Sequence, residues 1–132
     1  MLCIAYQNQM IWNIDFHPDF YSEFIKLPNE VRLELLAKVA LLEAFGPNLK
    51  RPHVDTLNGS GYANMKEIRF QAADGVWRVA FAFDPRRCAI LLMAGDKSGS
   101  SEKRFYRQLL EIADSRFKDH LNKLTEQGIN DN

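Results

Sequence analysis

Residues 65–83 read MKEIRFQAADGVWRVAFAF, two runs of strand-like alternation joined by Ala72-Ala73-Asp74-Gly75. Asp-Gly between apolar-rich runs signals a hairpin, because tight turns of this hand need backbone conformations that Asp and Gly tolerate. If the turn closes symmetrically, Gln71 faces Val76, Phe70 faces Trp77, Ile68 faces Val79 and Arg69 faces Arg78. That register gathers Ile68, Phe70, Trp77, Val79, Phe81 and Phe83 on one face, and a slip of one residue would move either strand's set to the other face. This face is expected to lie against the core. Arg69 and Arg78 then stand side by side on the opposite, non-core face with Glu67 one strand position away, while Lys66 points to the apolar side by parity.

Working outward, Cys88–Ala94 is a third run, reached through Asp84-Pro85-Arg86-Arg87, so residues 65–94 are expected to form a three-stranded antiparallel meander with Met93 opposite Arg78. Upstream, residues 10–16 read as a first strand. His17-Pro18 opens a short helix over 19–27, since proline suits a first helical turn. Pro28-Asn29 interrupts it, and a second helix spans about Glu30 to Phe45 with a stripe of Val31, Leu35, Leu36, Val39, Leu42 and Ala44. Gly46-Pro47 stops that helix, and residues 46–61 read as loop. After a break at Gly95–Ser100, a long amphipathic helix covers about Ser101 to Leu124, its apolar positions being Phe105, Leu109, Ile112, Ala113, Phe117, Leu121 and Leu124. The expected class is α+β: a small antiparallel sheet, made of the N-terminal strand plus the meander, packed on an N-terminal helical hairpin, with a long C-terminal helix. One domain over residues 1–126 and a polar tail over 127–132 complete the plan.

Composition sets the outer limits. The chain has 132 residues, with 46% hydrophobic, 26% charged and 11% aromatic residues, which suits a folded domain and excludes a disordered or fibrous chain. No apolar run nears the ~20 residues of a membrane span, and the first residues lack the basic region and cleavage site of an export signal. Cys3 and Cys88 offer neither a disulfide framework nor metal spacing, and His17, His53 and His120 lie far apart. Cytoplasmic localisation with reduced thiols, no metal and no cofactor are therefore expected. Cys88, Trp12 and Trp77 are assigned to packing and His53 to the surface. Whether Met1 or Met10 is the start, and the oligomeric state, stay open. Formal net charge is zero, with 17 Lys+Arg against 17 Asp+Glu, yet it is unevenly spread. Residues 66–107 hold nine bases against five acids, while residues 13–45 hold six acids against three bases. Either one basic face or an ordinary solvated face of mixed charge follows from that count.

Like charges directly opposite on neighbouring strands cost a few tenths to ~1 kcal/mol unless something anionic lies between them. Either Glu67 neutralises Arg69 and Arg78, or a phosphate does. The loop Gly95-Asp96-Lys97-Ser98-Gly99 would deliver Lys97 to the same edge. Lys103, Arg104, Tyr106 and Arg107 fall in the first turns of the last helix, where cations oppose the helix dipole and a structural motive is weak. Convergent cations of this kind suit a phosphate site.

Taken in order, Leu57-Asn58-Gly59, Met65-Lys66-Glu67-Ile68-Arg69, Trp77-Arg78-Val79-Ala80-Phe81 and Ile90-Leu91-Leu92 with its following lysine resemble the RelE/ParE toxin superfamily, and more closely its HigB-like, phage-derived branch. The resemblance covers about Asp15 to Leu121. It implies the toxin of a type II toxin–antitoxin pair, an endoribonuclease that cleaves messenger RNA, in most relatives on the ribosome. Its partners would be a cognate helix-turn-helix antitoxin, messenger RNA and the ribosome. By matching motifs, Arg69, Arg78 and Lys97 would orient the scissile phosphate and stabilise charge during attack by the 2′-hydroxyl. Glu67 is the carboxylate placed to act as a base, Tyr106 is a base or a stacking platform, and Lys66, Lys103 and Arg104 are candidate RNA contacts. Two rivals accompany this reading: a ParE-like inhibitor of DNA gyrase, and an inactive relative that only binds its antitoxin.

Overall fold

The computed structural model describes residues 11–128, so the question of the start codon, Cys3 and residues 129–132 of the tail lie outside the described residues. Nine elements follow in order: β1 (Ile14–Phe16), α1 (Pro18–Phe24), α2 (Asn29–Phe45), a 3-10 turn (Gly46–Asn48), β2 (Val54–Thr56), β3 (Lys66–Ala72), β4 (Gly75–Phe83), β5 (Ala89–Asp96) and α3 (Glu102–Glu126). The strands form one mixed sheet in the order β1-β5-β4-β3-β2. The class is α+β, as the pattern predicts. Two details of the sheet differ. β1 pairs with β5 in parallel, because α1 and α2 carry the chain away from β1 before the meander begins. Residues 54–56, expected in a loop, add β2 to the outer edge of β3 with Val54 opposite Ile68 and Asp55 opposite Glu67.

The central hairpin has the predicted register, with Gln71 opposite Val76, Phe70 opposite Trp77 and Arg69 opposite Arg78. Its turn is built differently. Ala73 and Asp74 are the left-handed residues, with φ of 49° and 62°, and Gly75 begins β4 opposite Ala72. Gly75 is needed for space: a Cβ there would lie 2.7 Å from both Asp96 Oδ2 and Trp77 Nε1. The β4–β5 pairing also departs from expectation, since Arg78 faces Gly95 and Met93 faces Ala80. A longer turn, in which the Asp84 N–H donates to the Cys88 carbonyl, shifts the register by one residue, and a bulge at Leu92 shifts it by one more.

Helices cover both faces of the sheet. On one face Phe20, Val31, Leu35 and Leu42 of α1 and α2 meet Ile68, Phe70, Val79, Phe81 and Leu91. Each large side chain buried this way contributes about 1.5–3 kcal/mol relative to exposure. Leu36 and Ala44, expected in that stripe, point outward. On the other face, Leu109, Ala113 and Phe117 of α3 meet Leu57, Met65, Ala80, Ala82, Cys88, Ile90 and Leu92. The arginine face of the hairpin is therefore no bare surface: it carries a second core along part of its length, and Arg69 and Arg78 sit where that core ends. Ile112 alone of the predicted α3 stripe lies 36% exposed.

Candidate active site

The alternation of β3 and β4 brings Glu67, Arg69 and Arg78 to one face, and α3 lowers Tyr106 onto them. The Tyr106 hydroxyl donates to Glu67 Oε1 at 2.8 Å and accepts from Arg78 Nε at 3.2 Å. Arg69 Nη1 donates to Glu67 Oε2 at 2.8 Å, and Arg78 Nη1 donates to the Trp77 carbonyl at 2.9 Å. The two oxygens of one carboxylate thus accept from a guanidinium group and a phenol, and the second guanidinium group, of Arg78, stands 3.8 Å from Oε1. Glu67 is 3% exposed and Arg78 5% exposed, against the solvated placement expected for this face. The small side chains Ala80 and Ala82 let α3 come down onto the sheet, and its first turns roof the arginines.

Lys97 joins the cluster by a tether. Rather than riding a flexible loop, it directly follows β5, which runs to Asp96 and not only to Ala94, and the Lys97 N–H donates to the Val76 carbonyl at 2.8 Å. Its ammonium lies 5.8 Å from the centroid of the Tyr106 ring and pairs with Glu102 at 2.8 Å. Lys103 and Arg104 are exposed in the first turn of α3, beside the cluster. Lys66 stands apart: it pairs with Phe81 in register and lines a groove with Trp12, Pro47, Phe83 and Arg87 at the far side of the sheet. His53 accepts a contact from Lys38 Nζ at 2.9 Å, half-buried rather than free on the surface.

Charge is balanced pair by pair. Burial, followed by the bond to Glu67, pushes the Tyr106 phenol above its usual pKa, so it holds its proton and is unsuited to act as a base. The hydrogen bond from Lys97 holds the Glu102 carboxyl below the usual range. Asp55, which sequence reading passed over, pairs with Arg51 at 2.7 Å and reaches Arg69 Nη1 at 4.0 Å. Its hydrogen bonds from the Arg51 side chain and the Thr56 N–H keep it ionised to lower pH than an ordinary aspartate. The one available signal was the four-residue spacing of Arg51 and Asp55, too common to stand out in a stretch with no strand periodicity.

Two grooves flank the cluster. One, of about 620 Å³, runs beside Tyr106 between α3 and Gly59 and is lined by Lys103 and Arg107. The other, of about 580 Å³, opens over Arg69 and Arg78 and is lined by Lys38, Arg51 and Gln71. Guanidinium groups at such a site can grip two oxygens of a phosphate, and the neighbouring carboxylate and phenol can accept and donate protons. Among the described residues, no group of three or more His, Cys, Asp or Glu side chains could hold a metal ion, and no helix is long and apolar enough to cross a membrane.

Comparison with known proteins agrees with this architecture. Residues 22–118 match the family of phage-derived Gp49-like proteins (DUF891). The chain is 44% identical over 104 residues to "Putative toxin HigB3" of Mycobacterium tuberculosis (strain ATCC 25618 / H37Rv), covering 79% of this chain and 89% of that protein. It is also 44% identical over 89 residues to "Putative toxin HigB2" of the same organism, covering 66% of this chain but 43% of that longer protein. In fold it is similar to an arginine-to-alanine double mutant of the E. coli toxin RelE in the free state. The TM-score is 0.59 at 18% identity, over 81% of this chain and 98% of RelE. The archaeal RelE–RelB complex from Pyrococcus horikoshii OT3 contains a similar chain, with a TM-score of 0.50 at 19% identity, over 69% of this chain and 100% of that one. With three-quarters of its length matched to one family model, the chain belongs to the Gp49-like family, with relatives named as putative HigB toxins, and it has a RelE-like fold.

Proposed function

We propose that this protein is a toxin, a metal-independent endoribonuclease that cuts messenger RNA, in the cytoplasm and on the ribosome, and that a cognate helix-turn-helix antitoxin restrains it. The observation that carries the reading is the Glu67 carboxylate, hydrogen-bonded by Arg69 and Tyr106 and ion-paired with Arg78 at 3.8 Å, with one open groove beside Tyr106 and another over the arginines. A phosphate entering between the guanidinium groups would take over the Arg69–Glu67 hydrogen bond and draw Arg78 from its 3.8 Å ion pair with Glu67, which frees Oε2 of the carboxylate. Glu67 then accepts the proton of the ribose 2′-hydroxyl as O2′ bonds to phosphorus. Arg69 and Arg78 stabilise the dianionic phosphorane, and they never lose their charge in doing so. The P–O5′ bond breaks, and Tyr106, whose raised pKa keeps it protonated, donates to O5′, with Lys97 as the neighbouring cation. Products are a 2′,3′-cyclic phosphate and a 5′-hydroxyl. The 2.8 Å Tyr106–Glu67 hydrogen bond gives the proton a direct way back, which restores both groups. Support for an antitoxin partner comes from the RelE–RelB neighbour, which is named as a complex.

A second reading, an inactive relative that only binds its antitoxin, is favoured by the burial of Glu67 and by the saturation of its two oxygens. One experiment separates them. The wild type and the Arg69→Ala/Arg78→Ala and Glu67→Gln variants are induced in a bacterium, and messenger-RNA 5′ ends are mapped. New ends within translated frames, lost in the double variant and reduced about 10²–10⁴-fold by Glu67→Gln, are expected of a general base in this site. Growth arrest without new ends would point to the gyrase-type rival, and no arrest at all to the inactive one.

A further inference from the structure

β2 covers only part of β3. Its pairs run from Val54–Ile68 to Thr56–Lys66, and the next contact, the Arg69 N–H to the His53 carbonyl at 2.8 Å, is the last on that edge before the turn. From Phe70 to Ala72 the outer edge of β3 is open, and the 580 Å³ groove forms there, bounded by α2, the Arg51-Pro52 turn and the ends of β3 and β4. Its lining combines Lys38 and Arg51 with one carboxylate, Glu34, and an apolar wall of Pro52, Phe70 and Val76, and Gln71 is exposed beside them.

The cations of this groove are linked to those of the active site. Asp55 pairs with Arg51 on one side and approaches Arg69 on the other, and Arg69 in turn holds Glu67. The side chain of Arg51 is nevertheless 70% exposed, with Nη1 outside the pairing that its Nε and Nη2 make with Asp55. Lys38 is fixed from the opposite wall by His53. The groove is thus a net positive track, four cations to the one carboxylate of Glu34, that begins at the Arg69–Arg78 pair and leads over the sheet edge toward α2. Alternating cations and apolar walls are what a single strand needs, phosphates on one side and sugar or base on the other.

We infer that the groove on the open edge of β3 is a second phosphate subsite for single-stranded RNA, in which Lys38 and Arg51 take a backbone phosphate neighbouring the one held by Arg69 and Arg78. This rests on the ribonuclease reading. It makes substrate length matter, because a strand too short to reach α2 gives up these contacts.

The test uses fluorescent 2′-O-methyl oligoribonucleotides of three and eight residues, which bind but cannot be cut because the attacking hydroxyl is blocked. Binding to the purified full chain is followed by anisotropy across a salt series. Wild type is expected to prefer the octamer. Lys38→Gln/Arg51→Gln should weaken octamer binding roughly tenfold, more than it weakens trinucleotide binding. It should also flatten the slope of log Kd against log salt by about 1.4, or ~0.7 for each cation removed from the phosphate backbone. Lys38→Gln alone, which leaves Asp55 and Arg69 untouched, should remove about half of that slope. Lys38→Arg/Arg51→Lys should keep the wild-type slope, which separates charge from folding. If wild type binds RNA and the double Gln variant matches it in octamer affinity and slope, the subsite is overturned while the ribonuclease reading stands. If wild type binds neither oligonucleotide and produces no new messenger-RNA ends in cells, both fall together.

Discussion

Arg69 and Arg78 face each other across one hairpin, yet they are not equivalent. Arg69 lies at the groove rim with its side chain 26% exposed, whereas Arg78, 7% exposed, lies deeper on the groove floor under α3, bonded to Tyr106 and to the Trp77 carbonyl. Removing one partner of a buried charge cluster leaves the rest uncompensated, at a cost of about 3–5 kcal/mol. Arg78→Ala is therefore expected to lower the melting temperature strongly, and Arg69→Ala to lower it less, because Arg69 is partly solvated and Glu67 keeps its bond from Tyr106 and its 3.8 Å ion pair with Arg78. Thermal melts followed by circular dichroism would show the difference; equal melting temperatures would mean that Arg78 is not the buried keystone of the cluster. The pairing of the two arginines was legible from parity alone. Their unequal burial was not, because it depends on where α3 lands, and no local pattern in residues 65–83 contains that.

At the level of elements, β1 and the β3–β4 hairpin were legible, whereas β2 and the register of the β4–β5 hairpin were not. The β3–β4 register followed from apolar alternation even though the turn places Ala73 and Asp74, rather than Gly75, in the left-handed region. The β4–β5 hairpin was read with its register wrong by two residues beside Arg78, because a turn organised by a side chain leaves no periodic trace. That side chain is Asp84. Buried, it accepts from the N–H groups of Arg86 and Cys88, from the Arg86 guanidinium at 2.7 Å and from His120 at 2.8 Å. Burial alone would raise its pKa, but the bonds from His120, Arg86 and the Cys88 N–H outweigh burial and bring it below the usual value. Beside it the Cys88 thiol, pushed up to about 12 by burial and by Asp15 and Asp84, remains protonated and inert. A carboxyl whose pKa falls on folding contributes stability above its unfolded value, ~3.9 for aspartate, and loses it as pH drops through that value toward the lower folded one. Asp84→Asn should thus melt well below wild type at pH 7, and the gap should shrink steadily below about pH 4. A gap independent of pH would show that hydrogen bonding, not ionisation, holds this turn.

For the whole molecule, the sheet carries the paired arginines Arg69 and Arg78 while a separate layer, α3, carries Tyr106, so the cluster exists only while the two layers stay in register. The sequence announced α3 through its apolar spacing, but the bolts that fix it are polar and lie far apart along the chain. Arg116 bonds Glu23 of α1 and donates to the Leu92 carbonyl at 2.8 Å. Asp119 pairs with His17 at 3.0 Å, and His120 reaches Asp84. These contacts span 93, 102 and 36 residues, beyond any window in which spacing is informative. All three lie in the C-terminal half of α3, whereas its site end is held by the bonds of Tyr106 itself to Glu67 and Arg78, by the Lys97–Glu102 pair and by Phe105 against Gly95, where a Cβ would come within 2.8 Å of its ring. Loosening the bolts should therefore tilt α3 as a unit and displace Tyr106 without touching an RNA-contacting group. Arg116→Gln, which keeps a donor but gives up the charge and one arm of the fork, is expected to lower the melting temperature modestly. It should also speed hydrogen exchange along α3 while the β3–β4 amides stay protected, since local opening and global unfolding protect different amides. Cleavage should fall through kcat with KM little changed, because the arginine pair on the sheet still holds the phosphate while the proton donor above it is misplaced. Unchanged α3 exchange in Arg116→Gln, or a loss confined to KM, would show that the Arg116 bonds do not set the position of α3.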